Sequence, residues 1–132
     1  MESRPLVSDA PAALRAILAI RAGNDDGVEH FGILLLDVRR RIIGSLEISV
    51  GCLSASLVHP REVFAPAVVH KAAAIVLFHN HPSGQPEPSA EDLALTRRLV
   101  ACGQLLGIEV LDHIVVGDAT ERWVSLRDRG ML

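Results

Sequence analysis

Two histidines, His79 and His81, stand two residues apart where an apolar run, AAAIVLF (72–78), gives way to a polar crossing. Ser89 and Asp92 stand three apart just beyond it. On a strand, side chains at i and i+2 point to one face, so both imidazoles project to the same side at a strand end. The segment PSGQPEP brings the chain back to Ser89, a helix-capping residue, with Asp92 in the first turn that follows. Two imidazoles and one carboxylate, with a fourth position open, match a catalytic zinc site. A metal there lowers the pKa of a bound water to about 7 and polarises a carbonyl. A general base is then needed to carry the proton to the leaving group. The same letters admit a plainer reading: a pair of surface histidines beside a Ser-x-x-Asp capping box, its acid favoured by the helix dipole. The residues by themselves leave both readings open. The spelling HNH matches the name of a nuclease motif, but that motif is dispersed over a ββα-metal unit, so the triplet here is a coincidence.

Those groups must be held by regular elements. Ser8-Asp9-Ala10-Pro11 predicts a helix start, and Leu14, Ile17 and Leu18 follow at helical spacing to a loop at 23–27. His30–Val38 reads as a strand covered on both faces, because its centre, ILLL, is continuously apolar. Arg39–Arg41 reads as a turn and Ile42–Val50 as the hairpin partner. Leu53–Val58 is a candidate short strand. A helix is predicted from about His59 to Ala73, with Pro66 requiring either a kink or a late start. Ala74–His79 is the strongest strand. A long helix runs from Ala90 to about Gln104, presents Leu93, Leu95, Leu99 and Val100, and closes at Gly107. Strands at Ile108–Val116 and Arg122–Leu126 and a tail at 127–132 complete the order. Helices between strands in this mixture predict an α/β fold around a mixed sheet.

The bulk composition permits this. A chain of 132 residues that is 49% hydrophobic fits one domain with a real core, built from aliphatic side chains since aromatics are only 3%. The net charge is −3, so no clustered cationic surface favours phosphate binding; Arg39–Arg41 and Arg97-Arg98 read as solvated faces. Cys52 and Cys102 form no CxxC and have no zinc-finger spacing, which reads as reduced thiols of a cytoplasmic protein. The N-terminal stretch lacks a signal-peptide pattern, and no apolar run approaches the ~18 residues of a membrane span.

His79-x-His81, seven residues, then Ser89-x-x-Asp92 resembles the JAMM (MPN+) metalloprotease motif. The wider text, FHNHPSGQPEPSAEDLALTRRLVACGQLLGIEVLDHIVVGD with SLVHPREVF and WVSLRDRG, is similar to the RadC family over about residues 28–130. That resemblance implies a JAB/MPN (cytidine-deaminase-like) domain over 28–132, with 1–27 as a helix and loop leading into it. It also implies one zinc ion per chain held by His79, His81 and Asp92, and hydrolysis of a peptide or isopeptide bond. Ser89 would hydrogen-bond the developing oxyanion or the metal-bound water. Relatives with the motif carry an upstream glutamate base at the start of the first strand of the domain. Glu29 opens EHFGILLLD, which resembles their Glu-x-x-Gly-Leu-x-Leu pattern, and is the first choice; Glu47 is the second, and Glu62 sits at a helix start where a dipole role suffices.

Other residues read more plainly. His30 should face away from Glu29, His59 and His70 should lie on the surface, and Trp123 should be core or a lid over a helix. Asp112-His113 reads as a satisfied edge residue, with support of the metal ligands by one of the two as the alternative. Longer RadC-family chains carry a helix-hairpin-helix region ahead of this domain, and the segment before His30 reads as too short to be one. With that and the negative charge, no strong nucleic-acid binding is expected, and the partner is an unidentified protein or peptide substrate. The competing expectation is a non-enzymatic, protein- or DNA-associated module with a structural zinc; scaffold relatives have usually lost the His and Asp ligands, all kept here.

Overall fold

The structure, a computed structural model, describes residues 4–21, 26–51, 58–118 and 122–132. Its elements are α1 (Ala10–Ile20), β1 (His30–Leu36), β2 (Ile42–Val50), α2 (Pro60–Val69), β3 (Ala74–Asn80), α3 (Ala90–Leu106), β4 (Glu109–Asp118) and β5 (Arg122–Ser125). The five strands form one sheet in the order β2-β1-β3-β4-β5. β3 and β4 run parallel, joined through α3, and every other pair is antiparallel. This is the mixed sheet flanked by helices that the sequence predicts.

Both faces of the sheet are covered, which is why β1 and β3 are apolar without alternation. On one face Val63 and Phe64 of α2 and Leu95 and Leu99 of α3 pack over Ile33, Leu35, Ile75 and Leu77. On the other, Ala13, Leu14 and Ile17 of α1 pack over Leu34, Leu36, Val76 and Phe78. Burying each of the larger side chains stabilises by roughly 1.5–3 kcal/mol. The scaffold therefore rests on these two layers rather than on the polar groups at the strand ends.

Several boundaries differ from the expectation. β1 stops at Leu36 because Asp37 takes the chain into its turn early: its carboxylate accepts from the N–H groups of Arg39 and Arg41, at 2.9 and 3.0 Å. α2 ends at Val69, with His70 as its cap and Lys71 at φ 57°, so the segment to Ala73 is not helical. It starts at Pro60 and carries Pro66 inside it, which removes the late-start alternative. α3 runs on to Leu106, and its buried face is Asp92, Leu95, Thr96, Leu99 and Gly103, with Leu93 and Val100 only partly covered. The candidate strand at 53–58 and the loop at 23–27 fall mostly outside the described residues.

Two of the sheet's register irregularities lie near the strand ends that matter here. In β1–β2, Phe31 pairs with Ser49 but Gly32 pairs with Glu47, so Ile48 is passed over. In β3–β4, Ile75 pairs with Val110 but Val76 pairs with Asp112, so Leu111 is passed over. Each extra residue inverts the alternation beyond it. Glu47 lies on the α1 face, alternating with Leu46 and Ile48 on the other, and the bulge at Leu111 turns His113 to the face that carries α3.

Candidate metal centre

The centre lies at the end of β3, on the face covered by α2 and α3. His79 continues the alternation of Ile75 and Leu77 and is fully buried; His81 follows two residues later and is half-buried. The His81 backbone N–H donates to the Val116 carbonyl at 2.8 Å, tying the strand end to β4. Its ring Nδ1 faces the carbonyl of Gln85 at 2.7 Å. A carbonyl only accepts, so the ring proton sits on Nδ1 and Nε2 presents a lone pair inward. Gly117 makes this loop position possible, since a Cβ there would stand 2.5 Å from the Gly84 carbonyl oxygen.

Asp92 arrives from α3. The Ser89 hydroxyl oxygen accepts from the Asp92 N–H at 3.0 Å, and the Ser89 N–H donates to Asp92 Oδ2 at 2.8 Å. This reciprocal capping box fixes the carboxylate at the helix start. Asp92 Oδ2 lies 3.2 Å from His81 Nε2 and 3.4 Å from His79 Nε2, and the two Nε2 atoms are 2.9 Å apart. Donor atoms about 2.0–2.1 Å from a tetrahedral zinc stand about 3.3–3.4 Å from one another, so the triangle has the size and chemistry of one face of such a site. Glu29 Oε2 lies 3.9 Å from both Nε2 atoms, and Glu29, His79 and His81 also form a group able to hold a metal ion.

The electrostatics agree with a cation site. Burial works to raise the pKa of Asp92, but the imidazoles of His79 and His81 outweigh it and hold the carboxyl far below its ordinary value. The hydrogen bond with Asp92 raises the pKa of His81 against its burial. Burial, aided by the neighbouring imidazole of His79, drives His113 well below its ordinary value, so that ring is neutral.

Glu29 reaches the centre through strand pairing. Phe31 pairs with His79 across β1–β3, and Glu29 lies two residues before Phe31, hence on the same face. Gly32 opposes Phe78, and a Cβ at Gly32 would stand 2.6 Å from the Phe78 ring and 2.7 Å from the Leu46 carbonyl. The glycine of the Glu-x-x-Gly pattern is thus a gap for an aromatic ring. Asn80, the residue between the two histidines, points to the opposite face. Its Oδ1 accepts from the His30 N–H at 2.7 Å and its Nδ2 donates to the Val28 carbonyl at 3.0 Å. It therefore clamps the backbone on both sides of Glu29. Asn80→Ala should cost about 1–3 kcal/mol through two groups left without this partner. An unchanged urea midpoint would refute the clamp.

Glu47, the second candidate base, faces away, alternating with Leu46 and Ile48 on the α2–α3 side. Its carboxylate faces His30 Nδ1 at 2.7 Å, while Asp26 faces His30 Nε2 at 2.9 Å. Burial opposes protonation of His30, but these carboxylates together raise its pKa. Glu62 is exposed in the first turn of α2. His70 is exposed, His59 is half-buried at the α2 cap, and Trp123 is partly buried against the α1-side core.

Ser89 serves as the cap, using its oxygen as an acceptor and leaving the hydroxyl hydrogen available to donate. Ser89→Ala should cost about 1 kcal/mol of stability, and Ser89→Asp should recover most of it. If the hydroxyl also stabilises an oxyanion, Ser89→Asp should remain at least about 100-fold slower in turnover. Full turnover in Ser89→Asp would leave only the cap.

The expectation of a satisfied edge residue at Asp112-His113 is overturned. β4 is an interior strand, and His113 is fully buried with Nε2 2.7 Å from His79 Nδ1 and Nδ1 2.6 Å from Thr96 Oγ1. Asp112 points the other way, where its carboxylate accepts from the Ser125 hydroxyl at 2.6 Å and the Arg127 N–H at 3.1 Å. Burial raises its pKa. Asn80, Thr96, His113 and the Gln85 carbonyl were not marked by spacing. The one available signal was a polar residue on an otherwise apolar face, at Thr96 and His113.

A family model described as a RadC-like JAB domain matches residues 8–131. Among similar curated proteins, one named UPF0758 protein from Rubrobacter xylanophilus is 50% identical over 129 residues, covering 98% of this chain and 55% of that protein. Proteins of the same name from Syntrophotalea carbinolica and Desulfitobacterium hafniense are 56% and 53% identical over 104 residues, covering 79% of this chain and 45% of each. The chain spans about half the length of the curated relatives it matches.

Proposed function

The chain belongs to the RadC-like JAB domain family, and on that premise we propose that it is a zinc-dependent hydrolase of peptide or isopeptide bonds. The observation that carries this reading is the convergence of His79, His81 and Asp92 within 2.9–3.4 Å of one another, with the Glu29 carboxylate 3.9 Å from both rings. His79, His81 and Asp92 would hold the ion, being the tighter set. Zinc in such a site lowers the pKa of a bound water to about 7 and polarises a carbonyl.

The protein groups supply the rest. Glu29, half-buried and held by the Asn80 clamp, takes a proton from the attacking water and delivers it to the leaving nitrogen. The Ser89 hydroxyl, on the rim of the centre, donates to the oxygen on which negative charge develops. The substrate is an unidentified protein or peptide. In the second reading Glu29 is a fourth ligand, the site is closed, and the zinc is structural. Incubating the zinc-loaded chain with a diverse peptide library and sequencing the new termini tests the choice. Cleavage that disappears with Glu29→Gln supports the hydrolase, and no cleavage by fully loaded protein rejects it.

No helix among the described residues is long and apolar enough to cross a membrane. The cysteine usage supports a reducing, cytoplasmic setting. The net charge of −3 argues against a nucleic-acid partner. Anisotropy titration with duplex DNA at physiological salt should give no sub-micromolar affinity. Tight binding would overturn this and make Arg39, Arg40 and Arg41 the first residues to replace.

A further inference from the structure

We propose that His113 and Thr96 are positioning residues that fix the ring tautomer of His79, so that its Nε2 meets the metal as a bare lone pair. The inference rests on the reading of the site as a metal centre, and it concerns residues outside the ligand set.

The direction of the hydrogen bonds follows from one carbonyl. Thr96 Oγ1 lies 2.8 Å from the backbone oxygen of Asp92, which only accepts, so the hydroxyl hydrogen points there. With that hydrogen used, Thr96 Oγ1 accepts from His113 Nδ1 at 2.6 Å, and His113 carries its proton on Nδ1. His113 is fully buried, and with its proton on Nδ1 the ring turns Nε2 toward His79 as an acceptor. That Nε2 faces His79 Nδ1 at 2.7 Å and accepts from it. The His79 proton is thereby held on Nδ1, and Nε2 is left to face His81 and Asp92.

Reversing every proton fails at the Thr96 end of the chain. It would leave the Thr96 and Asp92 oxygens 2.8 Å apart with no hydrogen between them. The same helix therefore supplies the ligand Asp92 and, one turn later, the group that sets its fellow ligand. His81 has its own tautomer anchor in the Gln85 carbonyl, so the two imidazoles are set independently. Supports of this kind typically matter 10–100-fold in metal affinity (order of magnitude).

The test uses the whole chain and two readouts. Long-range ¹H–¹⁵N correlation on the metal-free protein, at mildly alkaline pH, reads which nitrogen of each ring carries the proton. His79 and His113 should both be Nδ1–H tautomers, and His79 found as Nε2–H would overturn the proposal without any variant. Competition titration with zinc then compares Thr96→Val, which keeps the shape and removes the hydroxyl, with Thr96→Ser, which restores it. Thr96→Val should bind zinc about 10–100-fold more weakly and shift His79 towards the Nε2–H form, and Thr96→Ser should recover both. Thr96→Val with unaltered zinc affinity and tautomer would overturn the relay. Failure of the unaltered chain to bind zinc, with His79 still Nδ1–H, would reject the metal-centre reading and leave the tautomer assignment standing.

Discussion

His79→Ala combined with His81→Ala should reduce zinc content from about one ion per chain to background. The two rings contribute two of the three donor atoms of the triangle, and both present Nε2 to its centre. Asp92 and Glu29 would remain, but two carboxylates without the imidazoles do not hold zinc against water and buffer. His79 is fully buried, so the double variant also loses packing. His81→Ala, at a half-buried position, is the companion that separates metal loss from unfolding. It should lose most of its zinc and keep its far-ultraviolet dichroism. Uptake should also weaken as pH falls, because the hydrogen bond with Asp92 raises the pKa of His81 and a protonated imidazole has no lone pair for the ion. Zinc content measured on dialysed protein across pH checks both points. Unchanged content in the double variant would sink the assignment of the ligands.

Glu29→Gln should keep the zinc and the fold yet lose turnover by about 10²–10⁴-fold, the range a positioned acid–base group contributes. Glutamine preserves the size and much of the hydrogen bonding of a half-buried side chain, and it removes the capacity to accept and release a proton. The three closer donors are untouched, so metal content should hold. Glu47→Gln is the control. Its carboxylate faces His30, 2.7 Å from Nδ1, and points away from the centre at His79. It should alter the pairing of His30 and leave turnover near the unaltered rate. Loss of turnover in Glu47→Gln alone would move the base to β2. Loss of zinc in Glu29→Gln would make Glu29 a ligand and favour the structural reading. Rates are read on a peptide identified by the library cleavage.

Features set by short-range physics could be read from the amino-acid order. The spacing His79-x-His81 puts both rings on one face whatever the rest of the chain does, because strand alternation is a property of the backbone. Ser89-x-x-Asp92 closes a capping box within one turn of helix, so the carboxylate position follows from four consecutive residues. Ile42–Val50 and the glycine stop at Gly107 were read correctly for the same reason. The choice between Glu29 and Glu47 was not local. It depends on which face of the sheet carries the histidines: Glu47 alternates with Leu46 and Ile48, which pack on the α2–α3 side, and Glu29 reaches that side only through the pairing of Phe31 with His79. The place of His113 depends on a pairing irregularity at Leu111: counted by simple alternation from Val110 it falls on the other face, and only the register with β3 brings it against His79. Asn80 likewise meets Val28 and His30 across about fifty positions of sequence. A bulge costs little locally and inverts every side chain beyond it, so the tertiary pairing alone decided which polar residues joined the two histidines.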